Sequence, residues 1–96
     1  MGEGLQMAEK NYIIVDDAGL HARPSTKLVG AVSGFQSEVL IDYNGKQVNL
    51  KSIMGVMSLG IPKGATVKVI ANGEDAENVI TAIDEVVERE GLGKVE

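Results

Sequence analysis

The chain has no cysteine and a single histidine, His21, among its 96 residues. Without cysteine there is no disulfide and no thiolate metal site. One histidine among scattered carboxylates makes no metal cluster either, so no metal or cofactor is expected. No apolar run approaches the ~20 residues that span a bilayer, and no signal-peptide pattern opens the sequence. A cytoplasmic protein without membrane insertion is the expectation. A net charge of −5 argues against direct contact with nucleic acid. What is present, 44% hydrophobic and 24% charged residues, is the composition of an ordinary globular domain. Such a length suits one domain burying about 60–65% of its unfolded surface.

The charge is unevenly spread. Between His21 and Lys63 lie five basic residues, Arg23, Lys27, Lys46, Lys51 and Lys63, against only Glu38 and Asp42. The segments on either side are acidic. This basic island would suit docking onto acidic faces of partner proteins and tolerance of a bound anion.

Within it, Gly19-Leu20-His21-Ala22-Arg23-Pro24-Ser25-Thr26 stands out. Pro24 suits the first turn of a helix, where its missing N–H costs little and its fixed φ is already helical. Leu28, Val29, Val32 and then Phe35 follow at helical spacing, which predicts a helix over 22–33 with Gly34 as its stop. His21 then precedes the unpaired amides of a helix start, an arrangement that attracts anions. An imidazole with a free ring nitrogen is a nucleophile. If that ring takes up a phosphoryl group, the helix end that opens at Ala22 and the Arg23 side chain are placed to hold its oxygens.

Residues 1–6 carry no periodicity and read as a disordered extension ahead of a domain over 7–96. Tyr12-Ile13-Ile14-Val15 predicts a first strand within 11–16, followed by a loop in which Gly19 lets the chain turn. Alternation over 38–43, with Val39, Ile41 and Tyr43 on one face, predicts a second strand. Asn44-Gly45 is a strong hairpin signal, and 46–50 is the return strand. A fourth strand is expected over 66–71. Ala76, Val79, Ile80, Ile83, Val86 and Val87 then mark an amphipathic helix closing at Gly91. One polar face per strand implies a sheet covered on one side only. The expected fold is α+β, an open-faced sandwich of a four-stranded antiparallel sheet and three helices in the order βαββαβα.

The middle helix, over 52–60, is unusual. Ser52 fits its N-cap, and Ile53, Met54, Val56, Met57 and Leu59 occupy most of its circumference. A single short helix buries only one stripe, so part of this apolar set is expected at the surface. Met54 and Met57 are favoured there, because flexible thioethers suit adaptable contacts.

Gly19-Leu20-His21-Ala22-Arg23-Pro24 resembles the active-site signature of the HPr family, the histidine-containing phosphocarriers of the bacterial phosphoenolpyruvate–sugar phosphotransferase system. Lys51-Ser52-Ile53-Met54-Gly55-Val56-Met57-Ser58-Leu59-Gly60 resembles that family's regulatory serine segment in its Gram-positive form. The two blocks stand in the family's order, and the similarity runs from about Met7 to Gly93. The resemblance implies a carrier forming a phosphohistidine intermediate rather than an independent enzyme. His21 would take a phosphoryl group on Nδ1 from enzyme I and pass it to IIA domains of sugar permeases. Ser52 would be the substrate of HPr kinase/phosphorylase, giving affinity for a catabolite control repressor. Leu20, Lys27, Lys51, Ile53, Met54 and Met57 would form the docking surface. An alternative is a regulatory module of the same fold that works through phosphorylated Ser52 and the Met54/Met57 patch alone. One departure is Ser25, where the family usually has alanine; its hydroxyl could cap or alter the local hydrogen bonding.

Overall fold

Asn44 and Gly45 adopt φ of 55° and 83°, the paired left-handed geometry that a two-residue hairpin turn demands. In the computed structural model, which describes residues 6–96, this turn joins β2 (Glu38–Tyr43) to β3 (Lys46–Asn49) with Tyr43 opposite Lys46. Strand β4 (Thr66–Asn72) flanks β2 on its other side, with Leu40 opposite Ile70. Strand β1 (Met7–Ile14) lies beyond β4, with Asn11 opposite Lys68. All these pairs are antiparallel. Three helices, α1 (Ala22–Val32), α2 (Ile53–Ser58) and α3 (Ala76–Arg89), complete the expected α+β sandwich.

The strand count differs from the expected four. A fifth strand, β5 (Gly93–Val95), pairs antiparallel with the free edge of β1 and gives the order β3-β2-β4-β1-β5. Three residues opening on glycine offer no alternation to read. The reason for that glycine is contact: a Cβ on Gly93 would stand 2.4 Å from the Ile13 carbonyl oxygen. Strand β1 is also longer than the apolar run suggested. Its polar first half stays in the ladder, and Glu9 meets Lys68 at 3.4 Å on the outer face of the sheet. Residues 1–5 of the expected extension lie outside the described residues; the Gln6 carbonyl accepts the Gly73 amide at 2.8 Å.

The core follows the alternation. Tyr12, Ile14, Val39, Ile41, Val67, Val69 and Ala71 point from the sheet toward Leu28, Val29 and Val32 of α1 and Val79, Ile83 and Val86 of α3, all buried. Each such aliphatic side chain contributes about 1.5–3 kcal/mol of burial free energy. Tyr12 ties the layers together. Its hydroxyl donates to Asp84 Oδ1 at 2.6 Å, and Lys10 Nζ donates to Asp84 Oδ2 at 2.8 Å. Burial, then the carboxylate, pushes the Tyr12 phenol above its ordinary value. Burial works against ionised Asp84, yet the bonds from Lys10 and Tyr12 outweigh it and hold the carboxyl below the usual range. Asp75, at the start of α3, turns away from its own helix: it accepts the amides of Gln36 and Ser37 at 2.9 and 3.0 Å and the Ser37 hydroxyl. The Ser37 hydroxyl, with the Gln36 amide, holds Asp75 below the usual carboxylate range.

Candidate functional site

Helix α1 begins one residue after His21, which occupies the N-cap at φ −80°, ψ −165° and makes no side-chain bond to the helix. The first rung of the helix runs from the Ser25 amide to the His21 carbonyl at 3.0 Å. Pro24 is the third helical residue, where an amide would otherwise lack an acceptor. The amides of Ala22 and Arg23 have no acceptor among the described residues. Two free donors at the positive end of a helix therefore flank the imidazole.

The loop beneath is tightly built. Gly19 sits at φ +70°, and a Cβ there would fall 2.2 Å from the Ile61 carbonyl oxygen. The Leu20 amide donates to that same carbonyl at 2.9 Å. Ser25 is fully buried, and its hydroxyl donates to the Leu20 carbonyl at 3.1 Å. The residue that departs from the HPr-like pattern thus braces the peptide next to His21. Leu20, expected at the docking surface, is only 4% exposed. It is a core residue supporting the loop, because its backbone is pinned inward on both sides, and it offers a partner little surface.

The His21 side chain is 44% exposed, with Nε2 standing 3.6 Å from Asp16 Oδ1. Asp16 is itself fixed. Oδ1 accepts the Ala18 amide at 2.9 Å, while the Leu92 carbonyl receives the amides of Val15 and Asp16 at 2.9 and 3.3 Å. His21, Arg23, Lys27, Asp16 and Glu90 line an open hollow of about 190 Å³. Lys27 Nζ is 4.0 Å from Glu90 Oε2, and Arg89 Nε is 3.5 Å from the same oxygen. Sequence reasoning missed Asp16 and Glu90. Neither carries a spacing that marks it, and only folding brings them to the ring.

Ser52 caps α2 as expected, its hydroxyl accepting the Gly55 amide at 3.0 Å. On that helix Met54 is 79% exposed, with Met57 and Ile53 also open to solvent. Lys51 is half-buried and donates to the Phe35 carbonyl at 2.7 Å, fastening the segment just past α1 rather than standing free. The two motifs meet in a second hollow, about 330 Å³, lined by His21 and Met57 together with Leu20 and Ile61. No three ligand-type side chains gather into a metal site among the described residues. None of their helices is long and apolar enough to cross a membrane.

The family profile described as "PTS HPr component phosphorylation site" matches residues 8–89. The chain belongs to the HPr family. Its fold superposes on that of a Mycoplasma histidine-containing phosphocarrier protein with a TM-score of 0.87 and 42% identity, covering 90% of this chain and 98% of that one. HPr from Thermoanaerobacter tengcongensis gives 0.81 and 41%, covering 86% and 93%. Crh, the Bacillus subtilis catabolite repression protein solved as a domain-swapped dimer, gives 0.67 and 40%, covering 78% and 86%. HPr membership agrees with the placement of His21 at the free end of α1.

Proposed function

We propose that this HPr-family chain is a cytoplasmic phosphocarrier of the sugar phosphotransferase system. His21 receives a phosphoryl group from the phosphohistidine of enzyme I and hands it to IIA domains. The single observation that carries the reading is an exposed imidazole at the α1 N-cap, beside two unpartnered amides and Arg23, inside the segment the family profile covers. The ring attacks phosphorus through Nδ1, and the Ala22 and Arg23 amides with the guanidinium receive the oxygens. Transfer between two histidines demands little beyond positioning and charge stabilisation, which a small domain can supply. The hollow is open, which suits a phosphoryl group held briefly and released.

Phosphorylation of Ser52 by HPr kinase/phosphorylase is the proposed control. It adds about −2 charge at the start of the helix that carries the exposed Met54 and Met57, and Met57 also lines a hollow with His21. Slower transfer at His21 and docking onto a catabolite control repressor are the proposed effects of that charge on the shared docking surface. Ile53, Met54 and Met57, with Lys27 at the polar side, make up the docking surface.

Incubation with enzyme I and labelled phosphoenolpyruvate tests the carrier reading. The label should be acid-labile and alkali-stable, and His21→Ala should abolish it. Normal labelling of that variant would end the proposal. The likeness to Crh, together with the exposed methionines, favours a second reading: a regulatory module acting through Ser52 alone. That reading requires kinase labelling of Ser52 with no transfer from phosphorylated enzyme I.

A further inference from the structure

Among the described residues Asp16 is the one acidic side chain within ion-pair distance of the His21 ring, and its approach is to Nε2. It is no floppy surface group. Its Oδ1 takes the Ala18 amide in a tight turn, and its backbone amide is bound to the Leu92 carbonyl. The two nitrogens of an imidazole point to opposite sides of the ring, so a group fixed against one leaves the other to take the phosphoryl group. We infer that Asp16 is a positioning residue for phosphoryl transfer: it directs the phosphoryl group to Nδ1 and keeps a proton on Nε2 throughout the cycle. The inference rests on His21 being the phosphoryl acceptor.

Two physical arguments carry it. A phosphoryl group on Nε2 would set a dianion against a carboxylate, whereas one on Nδ1, on the other side of the ring, avoids that repulsion. The carboxylate is also the acceptor nearest to the Nε2–H. When the donor's N–P bond breaks and the Nδ1–P bond forms, the lone pair of Nδ1 makes the bond and the Nε2 proton stays in place. In onward transfer the Nδ1–P electrons return to Nδ1, and the ring leaves as neutral imidazole because Nε2 still holds its proton. Without that proton the leaving group would be an imidazolate, which departs far less readily. The arrangement repeats the logic of a carboxylate that fixes the tautomer of a catalytic histidine. At 3.6 Å the contact is longer than a hydrogen bond, and a small ring rotation closes it once phosphorylation makes the ring cationic.

The test needs no partner protein. The folded chain is charged with potassium phosphoramidate, and the phosphorylated nitrogen is identified from ring ¹⁵N and ³¹P resonances. The half-life of the adduct is then followed at pH 8. Asp16→Asn keeps an amide oxygen for the Ala18 turn while removing the charge, and backbone amide spectra confirm that its fold is unchanged. The other ionisable groups facing the hollow, Arg23, Lys27 and Glu90, are left intact. The unsubstituted protein should carry the group on Nδ1 alone. Asp16→Asn should show a mixture of Nδ1 and Nε2 adducts, with an alkaline half-life longer by roughly threefold to tenfold. Retention of either unsubstituted value by Asp16→Asn overturns the inference, as does labelling of the unsubstituted protein anywhere other than Nδ1. Failure of transfer from enzyme I, by contrast, would defeat the carrier reading without touching this result.

Discussion

Small groups around His21 have separable effects. Removing the Ser25 hydroxyl leaves the buried Leu20 carbonyl without its donor. Ser25→Ala should therefore lower unfolding free energy by about 1 kcal/mol, read as a shift in urea midpoint, and loosen the peptide before His21. Ser52→Ala removes the α2 cap at a similar cost of about 1 kcal/mol. It should block labelling by the kinase and leave transfer through His21 intact; a variant dead as a carrier would count against that division of roles. The placement of His21 and Ser52 at helix starts was legible in the sequence, because proline and capping residues mark such starts locally. Asp16 was not, since its meaning depends on a turn and on a carbonyl more than seventy residues away in the chain.

At the level of elements, the hairpin and the helices were readable because period and turn chemistry agreed. Val39 and Ile41 alternate, Asn44-Gly45 turns, and Val79, Ile83 and Val86 recur on one face of α3. Strand β5 escaped because three residues carry no period, and its pairing is decided by β1. Gly93 is where that strand can be broken. Gly93→Ala forces a methyl onto the Ile13 carbonyl, so β5 should peel from β1. Amide exchange at Ile13 and at Glu96, whose amide donates to the Asn11 carbonyl, should accelerate, while the β2–β4 ladder stays protected. Exchange unchanged at β1 and β5 would show that the edge yields without separating.

For the whole molecule, pH acts through groups distant from the site. Asp75 and Asp84 are held below the ordinary carboxylate value in the fold, and unfolding returns each to about 3.9. The unfolded chain then binds more protons, so their contribution is complete above that value and disappears as pH falls through the folded ones. Tyr12 works oppositely: its raised phenol contributes below about pH 10 and destabilises the fold as pH climbs further, because only the unfolded chain ionises freely. Urea midpoints measured across pH should fall at both ends. Asp75→Asn should flatten the acid limb and Tyr12→Phe the alkaline one. These couplings were not visible in the sequence, where Lys10 and Tyr12 of β1 lie more than seventy residues from Asp84 of α3 and share no motif with it. Their exclusion from the reactive hollow leaves stability and transfer to be tuned separately.

Leu92 deserves a practical reading. One carbonyl behind the longest helix holds both amides that lead into Asp16, so a purification handle grafted just past Val95 is no neutral accessory. Strain on that short strand would travel along the shared oxygen to the histidine loop, and a tagged preparation should be compared with an untagged one before its transfer rate is believed.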